Sequence, residues 1–165
     1  MGTRHEELPE RAVDPSYPPQ QPGGAGTLPK TTRQGKAKQS ELPSTLKKSD
    51  AKAQRTFAKA HDSAVESYGE GQRAHRVAYS ALKRSYEKVG DHWEAKDHKG
   101  PSDARARSGG PNAKGASAEG VNASASKKHL LEVARRLDIR GRSTMDKKEL
   151  VEAIEKENRR ETRKR

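Results

Sequence analysis

Four basic residues near the C-terminal end of the chain have the types and the spacing for binding an anion. Arg140 and Arg142 lie in a predicted loop, and Lys147 and Lys148 lie in the first turn of the helix predicted to follow it. A helix N-terminus favours phosphate through its free N–H groups and dipole, and guanidinium and ammonium groups add charged hydrogen bonds. We therefore expect these side chains to contact nucleic-acid phosphates. A solvated rim of charge is the alternative interpretation.

Further basic residues widen this predicted surface. Four of them lie on the preceding helix: Lys127, Lys128, Arg135 and Arg136. Contacts with the phosphate backbone carry no sequence information, so we expect little base specificity, and both DNA and RNA fit the pattern. Residues 159–165 (RRETRKR) are predicted to be a frayed helix or a basic tail.

The charge balance of the whole chain also favours a polyanionic partner. The sequence holds 35 lysines and arginines against 23 acidic residues, a net charge of +12. Residues 126–165 carry 14 basic and 8 acidic residues, so half of the excess charge lies there. Only 28% of the residues are hydrophobic, which is too little for one core spanning 165 residues. We expect small folded units joined by disordered chain.

The residue types that build other kinds of site are scarce. There is no Ser/His/Asp arrangement and no glycine-rich phosphate loop, so we expect no enzymatic activity and no cofactor. The absence of cysteine excludes disulfides and thiolate metal sites. The nearest approach to a metal cluster is the run from Asp91 to Glu94 with Asp97 and His98, for which a solvated mixed-charge segment is the favoured interpretation, and no metal site is predicted.

Two histidines lie near the apolar stripes of the predicted helices. His61 and His75 fit a proton-linked switch, but half-buried, hydrogen-bonded structural histidines are the favoured interpretation. The aromatic residues also fall mostly on helical stripes and are predicted to be core: Phe57, Tyr68, Tyr79, Tyr86 and Trp93.

Composition shifts divide the chain into five segments. We predict a disordered Pro/Gly-rich tail over 1–40, a helical unit over 41–100, a flexible linker over 101–125, a helix-loop-helix over 126–158 and a basic tail over 159–165. No secretory signal and no bilayer-spanning stretch is visible, which favours a soluble cytoplasmic protein, with nucleoid association as a further possibility.

The first helical unit, residues 41–100, is predicted to be a helical hairpin. Ser49 or Asp50 caps a helix that ends near Tyr68, and a second helix runs from about residue 72 to residue 89, where Gly90 stops it. Trp93 is expected to fold back over the hairpin as a lid.

The second helical unit, residues 126–158, is predicted from its caps and apolar stripes. Ser126 caps a helix that ends at Asp138, and Asp146 with Glu149 forms a capping box for the next helix. Ile139 and Met145 are expected to fill the space between the helices. The stripes consist of Leu130, Leu131, Ala134 and Leu137 on the first helix and Leu150, Val151 and Ile154 on the second.

Residues 41–97 resemble the ChaB family. The segment ELPSTLKKSDAKAQRTFAKAHDSAVESY is similar to its Leu-Pro opening and first helix, and RAHRVAYSALKRSYEKVGDHW is similar to its Ala-His-(Lys/Arg)-Val-Ala-(Trp/Tyr) helix and closing Lys/Trp segment. The matching residues are Leu42, Pro43, Ala74, His75, Val77, Ala78, Tyr79, Leu82, Lys83, Tyr86 and Trp93. The resemblance implies a small, mostly helical fold with a minor β element and, as the alternative function, regulation of a cation/proton antiporter by protein contact.

Residues 126–157 (SKKHLLEVARRLDIRGRSTMDKKELVEAIEKE) resemble the N-terminal domain of the Rho transcription termination factor and, more distantly, the SAP motif. The matching residues are Leu131, Ala134, Leu137, Ile139, Met145, Lys148, Glu149, Leu150 and Ile154. The resemblance implies a helix-loop-helix that binds DNA or RNA, with a link to transcription termination.

Overall fold

The computed structural model describes residues 28–108 and 114–164. These residues are mainly helical and include one two-stranded antiparallel sheet. The predicted mainly helical class with a minor β element is confirmed for them. The elements are α1 (Ser44–Lys47), α2 (Ala51–Tyr68), α3 (Gln72–Ser85), β1 (Tyr86–Val89), β2 (His92–Ala95), α4 (Ala104–Ser108), α5 (Lys127–Arg136) and α6 (Lys147–Arg163), with short 3-10 turns at Gln39–Glu41 and Arg142–Thr144.

The α2 and α3 helices form the predicted hairpin. The α2 helix begins where the Asp50 carboxylate accepts a hydrogen bond from the Ala53 N–H at 2.6 Å, and it ends at Gly69, whose φ of 76° suits glycine. The hairpin, α1 and the sheet enclose one hydrophobic cluster: Leu42, Leu46, Ala53, Phe57, Ala58, Ala78, Leu82, Tyr86 and Trp93. Tyr68 was predicted to be core but is 47% exposed.

The second predicted helix ends four residues early. It stops at Ser85, and Tyr86–Val89 forms a strand that pairs with His92–Ala95. The separation of three residues between Tyr86 and Val89 suggests one face of a helix, but in the strand it places them on opposite faces, Tyr86 in the first cluster and Val89 in a second one described below. The two-residue Gly90-Asp91 turn lets the chain fold back and pair. Trp93 lies in β2 and packs against the first cluster, where its indole N–H donates to Thr45 Oγ1 at 3.3 Å.

The second helical unit forms largely as predicted. Ser126 caps α5 by accepting from the His129 N–H at 3.2 Å, and both halves of the Asp146/Glu149 capping box are present. The α5 helix ends at Arg136, two residues before the predicted end, and α6 continues as helix to Arg163, through most of the predicted basic tail. Its hydrophobic cluster consists of Val89, Ala118, Val121, Leu130, Val133, Ala134, Leu150 and Ile154, and Ile139 and Met145 pack against it.

The β-hairpin connects the two hydrophobic clusters. Val89 at the end of β1 belongs to the second cluster. Buried Asn158 on α6 accepts a hydrogen bond from the Gly90 N–H at 2.6 Å and donates one to the Lys88 carbonyl at 2.9 Å. The side chain of His129 lies 2.7 Å from Glu87 on β1. These contacts join residues 41–100 to residues 126–158. The division of the chain into separate domains stays a prediction.

Residues 101–125 carry more structure than the predicted flexible linker. They include α4 and the buried residues Asp103 and Val121. The Asp103 carboxylate accepts hydrogen bonds from the backbone N–H groups of Ala106 and Ala118, and residues 109–113 lie outside the described part. One aspartate can accept from two backbone donors at once, so Asp103 links the start of this segment to Ala118.

The predicted N-terminal tail falls partly outside the described residues, which begin at residue 28. Within residues 28–40, Thr31 pairs with Ala37 in an isolated β-bridge. The Asp62 carboxylate on α2 accepts hydrogen bonds from the N–H groups of Lys30 and Thr31 at 2.7 and 2.9 Å. This part of the predicted tail is therefore attached to the first helical hairpin.

Candidate functional site

The predicted phosphate-binding residues are accessible to solvent. All of them are exposed except Arg142, which is half-buried: Lys127, Lys128, Arg135, Arg136, Arg140, Arg142, Lys147 and Lys148. The Arg142 guanidinium donates to the Ile139 carbonyl at 2.9 Å. This hydrogen bond lies within the loop between α5 and α6. One of the Arg142 donors is therefore occupied by a contact inside the protein.

The N-terminus of α6 is less available to an anion than the sequence argument supposed. The Asp146 carboxylate accepts from the Glu149 N–H at 2.8 Å, and the Glu149 carboxylate accepts from the Asp146 N–H at 2.7 Å. Two of the N–H groups are therefore already bonded, and two negative charges stand beside Lys147 and Lys148. The predicted capping box therefore uses part of the N–H donors that the predicted anion pocket would need, and the pocket stays a prediction.

The basic residues at the end of α5 are engaged in ion pairs. Arg136 Nη1 lies 2.8 Å from Glu94 Oε2 on β2, and Arg135 lies 3.8 Å from Glu132 one turn earlier. Burial alone would raise the pKa of Glu94, but the hydrogen bond and the charge of Arg136 hold it below its usual value. Arg136 thus connects α5 to the β-hairpin.

A basic groove lies on the opposite end of α6. It is an open depression of about 880 Å³ between the loop after α5 and the C-terminal half of α6. Its lining holds five basic and two acidic residues: Asp138, Ile139, Arg140, Ala153, Lys156, Glu157, Arg159, Arg160 and Arg163. We call this surface the α6 groove. Its formal charge of +3 makes it suited to an anion larger than a single ion.

Helical spacing explains how α6 builds this groove. Lys156, Arg159, Arg160 and Arg163 are separated by three, four and seven residues, which places them on one face of a helix. Arg159 pairs with Glu119 at 3.1 Å and Arg160 with Glu157 at 3.6 Å. Lys156 was not among the predicted phosphate-binding residues, and the three arginines were predicted to lie in a frayed helix or a basic tail, although their helical period is visible in the sequence.

The segment from Asp91 to Glu94, where a solvated mixed-charge segment was favoured over a metal site, forms a network of charged contacts. His92 Nδ1 lies 3.3 Å from Asp91 Oδ1, and its Nε2 lies 2.9 Å from Glu94 Oε1. The two carboxylates thus contact opposite sides of one imidazole ring and do not face a common point. Asp91 also pairs with Lys48, which together with His92 lowers the pKa of Asp91.

His61 and His75 were expected to be half-buried and hydrogen-bonded, and His61 departs from this expectation. His61 is 1% exposed, and neither of its ring nitrogens has a hydrogen-bond partner. Its ring centroid lies 4.7 Å from that of His75, which is partly exposed. Ligand atoms of these two histidines and Glu70 all lie within 4.8 Å of one another. They are the described residues best placed to hold a metal ion.

None of the described helices has the length and the apolar run needed to cross a lipid bilayer.

Comparison with known proteins identifies one segment of the chain. Residues 42–96 match the model of the ChaB family, which is 55 of the 165 positions and spans α1 to the end of β2. The ChaB resemblance of this segment is confirmed at that level. No curated protein and no solved structure matches the chain. The α6 groove lies outside the matched residues, and the resemblance of residues 126–157 to the Rho and SAP modules stays a prediction.

Proposed function

We propose that this chain is a non-enzymatic protein that binds the phosphate backbone of DNA or RNA through the α6 groove. The observation that carries the proposal is the clustering of Arg140, Lys156 and Arg163 around the groove. Within residues 28–108 and 114–164 none of the three forms an ion pair. Three cations without a carboxylate partner, on a surface of net positive charge, are suited to successive phosphates of one strand.

The charges at the end of α6 also have a structural explanation. Basic residues in the last turn stabilise a helix by interacting with its negative dipole end, and Arg160 and Arg163 lie in that turn. If this were their whole role, replacing them would lower helix stability without changing affinity for a polyanion. Measuring both stability and polyanion affinity on the same variants therefore distinguishes helix stabilisation from nucleic-acid binding.

The test is a fluorescence-anisotropy titration of the full chain with labelled duplex DNA and with RNA of the same sequence. Neutralising about three phosphates gives a log-log salt slope of about −2.7 on B-DNA, so affinity should fall about 40-fold between 50 and 200 mM salt. A groove triple variant (Arg140→Ala, Lys156→Ala, Arg163→Ala) should lose most of this affinity and most of the slope.

A matched control removes the same charge elsewhere. Lys47, Lys52 and Arg55 are exposed on the first helical unit, and replacing all three with alanine lowers the net charge equally. This control should keep most of the affinity. Absence of binding at low salt, or equal loss in the two triple variants, would overturn the proposal.

The family match favours a second candidate function, a regulator of cation transport that acts through protein contacts of residues 42–96. This function needs no α6 groove. In a deletion strain tested for sensitivity to high salt or calcium, rescue by the groove triple variant as good as by the parent chain would support it. Rescue that requires the intact groove would favour nucleic-acid binding instead.

A further inference from the structure

We propose that His61, Glu70 and His75 form a binding site for one divalent transition-metal ion, of which Zn²⁺ is the best match. This site lies in the first helical unit and is independent of the α6 groove. Its donor set is two imidazole nitrogens and one carboxylate, which Zn²⁺ and its first-row neighbours prefer, whereas Mg²⁺ and Ca²⁺ prefer oxygen alone.

The spacing of the donor atoms suits a single ion. His61 Nε2 lies 3.4 Å from Glu70 Oε1, and His75 Nε2 lies 3.7 Å from the same oxygen. Bonds of about 2.0 to 2.1 Å in a tetrahedral site separate neighbouring donors by about 3.3 to 3.4 Å. The three groups therefore need only small side-chain rotations to reach coordination distance.

The buried imidazole supplies an independent reason for a ligand. His61 is 1% exposed, and within the described residues neither Nδ1 nor Nε2 makes a hydrogen bond. Leaving buried polar atoms unpaired is costly, and such atoms are rare in folded proteins. Because the ligand atoms of His61, Glu70 and His75 all lie within 4.8 Å of one another, coordination of one ion would give the buried imidazole a partner.

The backbone places the three groups by the geometry of the helical hairpin. His61 lies on α2 and His75 on α3, and Glu70 lies between them in the turn. Gly69 and Gly71 flank Glu70 with φ angles of 76° and 149°, which glycine adopts readily, and the turn they form carries Glu70 back toward the helices. Phe57 closes the inner side, since its ring centroid lies 6.1 Å from that of His61 and 6.5 Å from that of His75.

A second carboxylate lies on the other side of the His61 ring. Asp62 Oδ1 lies 3.7 Å from His61 Nδ1, in the place where a carboxylate often orients a metal-binding histidine.

The site is open to solvent on one side. The side chains of Glu70 and His75 are 34% and 43% exposed, so an ion can enter between them. Three protein ligands leave a fourth position for water or another small ligand. A site of this kind differs from a closed four-ligand structural zinc site, and we expect the bound ion to exchange with solution.

The test uses the full chain without a polyhistidine tag. Isothermal titration with Zn²⁺ should give one ion per chain, and Co²⁺ should give the visible absorption bands of a tetrahedral site. Both His75→Gln and Glu70→Gln should weaken Zn²⁺ binding at least about tenfold. These side chains are partly exposed, so the variants should keep the far-UV spectrum of the parent, and Zn²⁺ should raise the Tm of the parent more than that of either variant.

The matched control is His98→Gln, which removes an exposed histidine at a distance from the site in the sequence. This variant should bind Zn²⁺ as the parent does. Equal weakening in all three variants, a parent chain that binds no Zn²⁺, or Mg²⁺ binding as tight as Zn²⁺ binding would overturn the proposal. Since none of these measurements involves nucleic acid, their failure leaves the function proposed for the α6 groove unaffected.

Discussion

Asn158→Ala tests how strongly α6 is attached to the β-hairpin. The Asn158 side chain bonds two backbone groups from another part of the chain, the N–H of Gly90 and the carbonyl of Lys88. Alanine leaves both without a protein partner. A buried donor that loses its partner costs about 1 to 3 kcal/mol, and the part-buried carbonyl costs less because water can reach it. We expect the free energy of unfolding to fall by about 2 to 4 kcal/mol, a large share of the 5 to 15 kcal/mol typical of a domain.

The assay is urea denaturation followed by two signals. Trp93 is the single tryptophan and reports on the first hydrophobic cluster, whereas far-UV circular dichroism reports on all helices. In the variant, the helical signal should be lost at lower urea than the fluorescence signal, because α5 and α6 lose their attachment first. Glu152→Ala, an exposed change on the same helix, should stay within about 0.5 kcal/mol of the parent. A loss below about 0.5 kcal/mol for Asn158→Ala would refute the reasoning.

Three further substitutions test the packing against Trp93, the backbone strain at a glycine and the burial of Glu87. Gly120→Ala would place a Cβ 2.7 Å from the Trp93 ring, at a φ of 104°. It should lower the free energy of unfolding in urea by about 2 to 4 kcal/mol and alter Trp93 emission. Gly69→Ala, with a φ of 76° and no neighbour within 4 Å, should lower that free energy by only about 1 to 2 kcal/mol. Equal costs would show that backbone strain alone is responsible. Burial raises the pKa of Glu87 above its usual 4.5, so its contribution to stability is present at low pH and is lost as the pH rises through the folded-state value. Glu87→Gln should therefore gain stability relative to the parent between pH 4.5 and 7, and an unchanged difference across that range would contradict the assignment.

Local signals predicted the helices well. The caps at Asp50 and Ser126 and the capping box at Asp146 depend on a few neighbouring residues, so they are visible in the sequence. The strand after α3 was missed because Tyr86 and Val89, three residues apart, continue the helical period, whereas in the strand they face two different clusters. The Gly-Asp pair that follows is nevertheless a hairpin signal. The role of Asn158 depends on which surface docks against α6, and no local pattern contains that information.

In the candidate sites too, local features could be predicted from the sequence, whereas contacts between distant segments could not. The charge count marked residues 126–165 as basic, but it could not show that a capping box occupies the N-terminus of α6 while Arg140 and Lys156 line one groove. His61 and His75 were recognised as lying near the apolar stripes. Their convergence on Glu70 depends on the register of α2 against α3, which the hairpin packing sets.

The position of Val89 has a consequence for the order of events during synthesis. This residue is translated with the hairpin, but its neighbours Leu150 and Ile154 leave the ribosome some sixty residues later. The α2–α3 hairpin can fold early from local contacts, whereas the second hydrophobic cluster must wait for the C-terminal helix. During that interval the tip of the β-hairpin exposes an apolar side chain and an unpaired Gly90 N–H. A nascent chain stalled before α6 should therefore be more prone to aggregation and proteolysis than the finished protein.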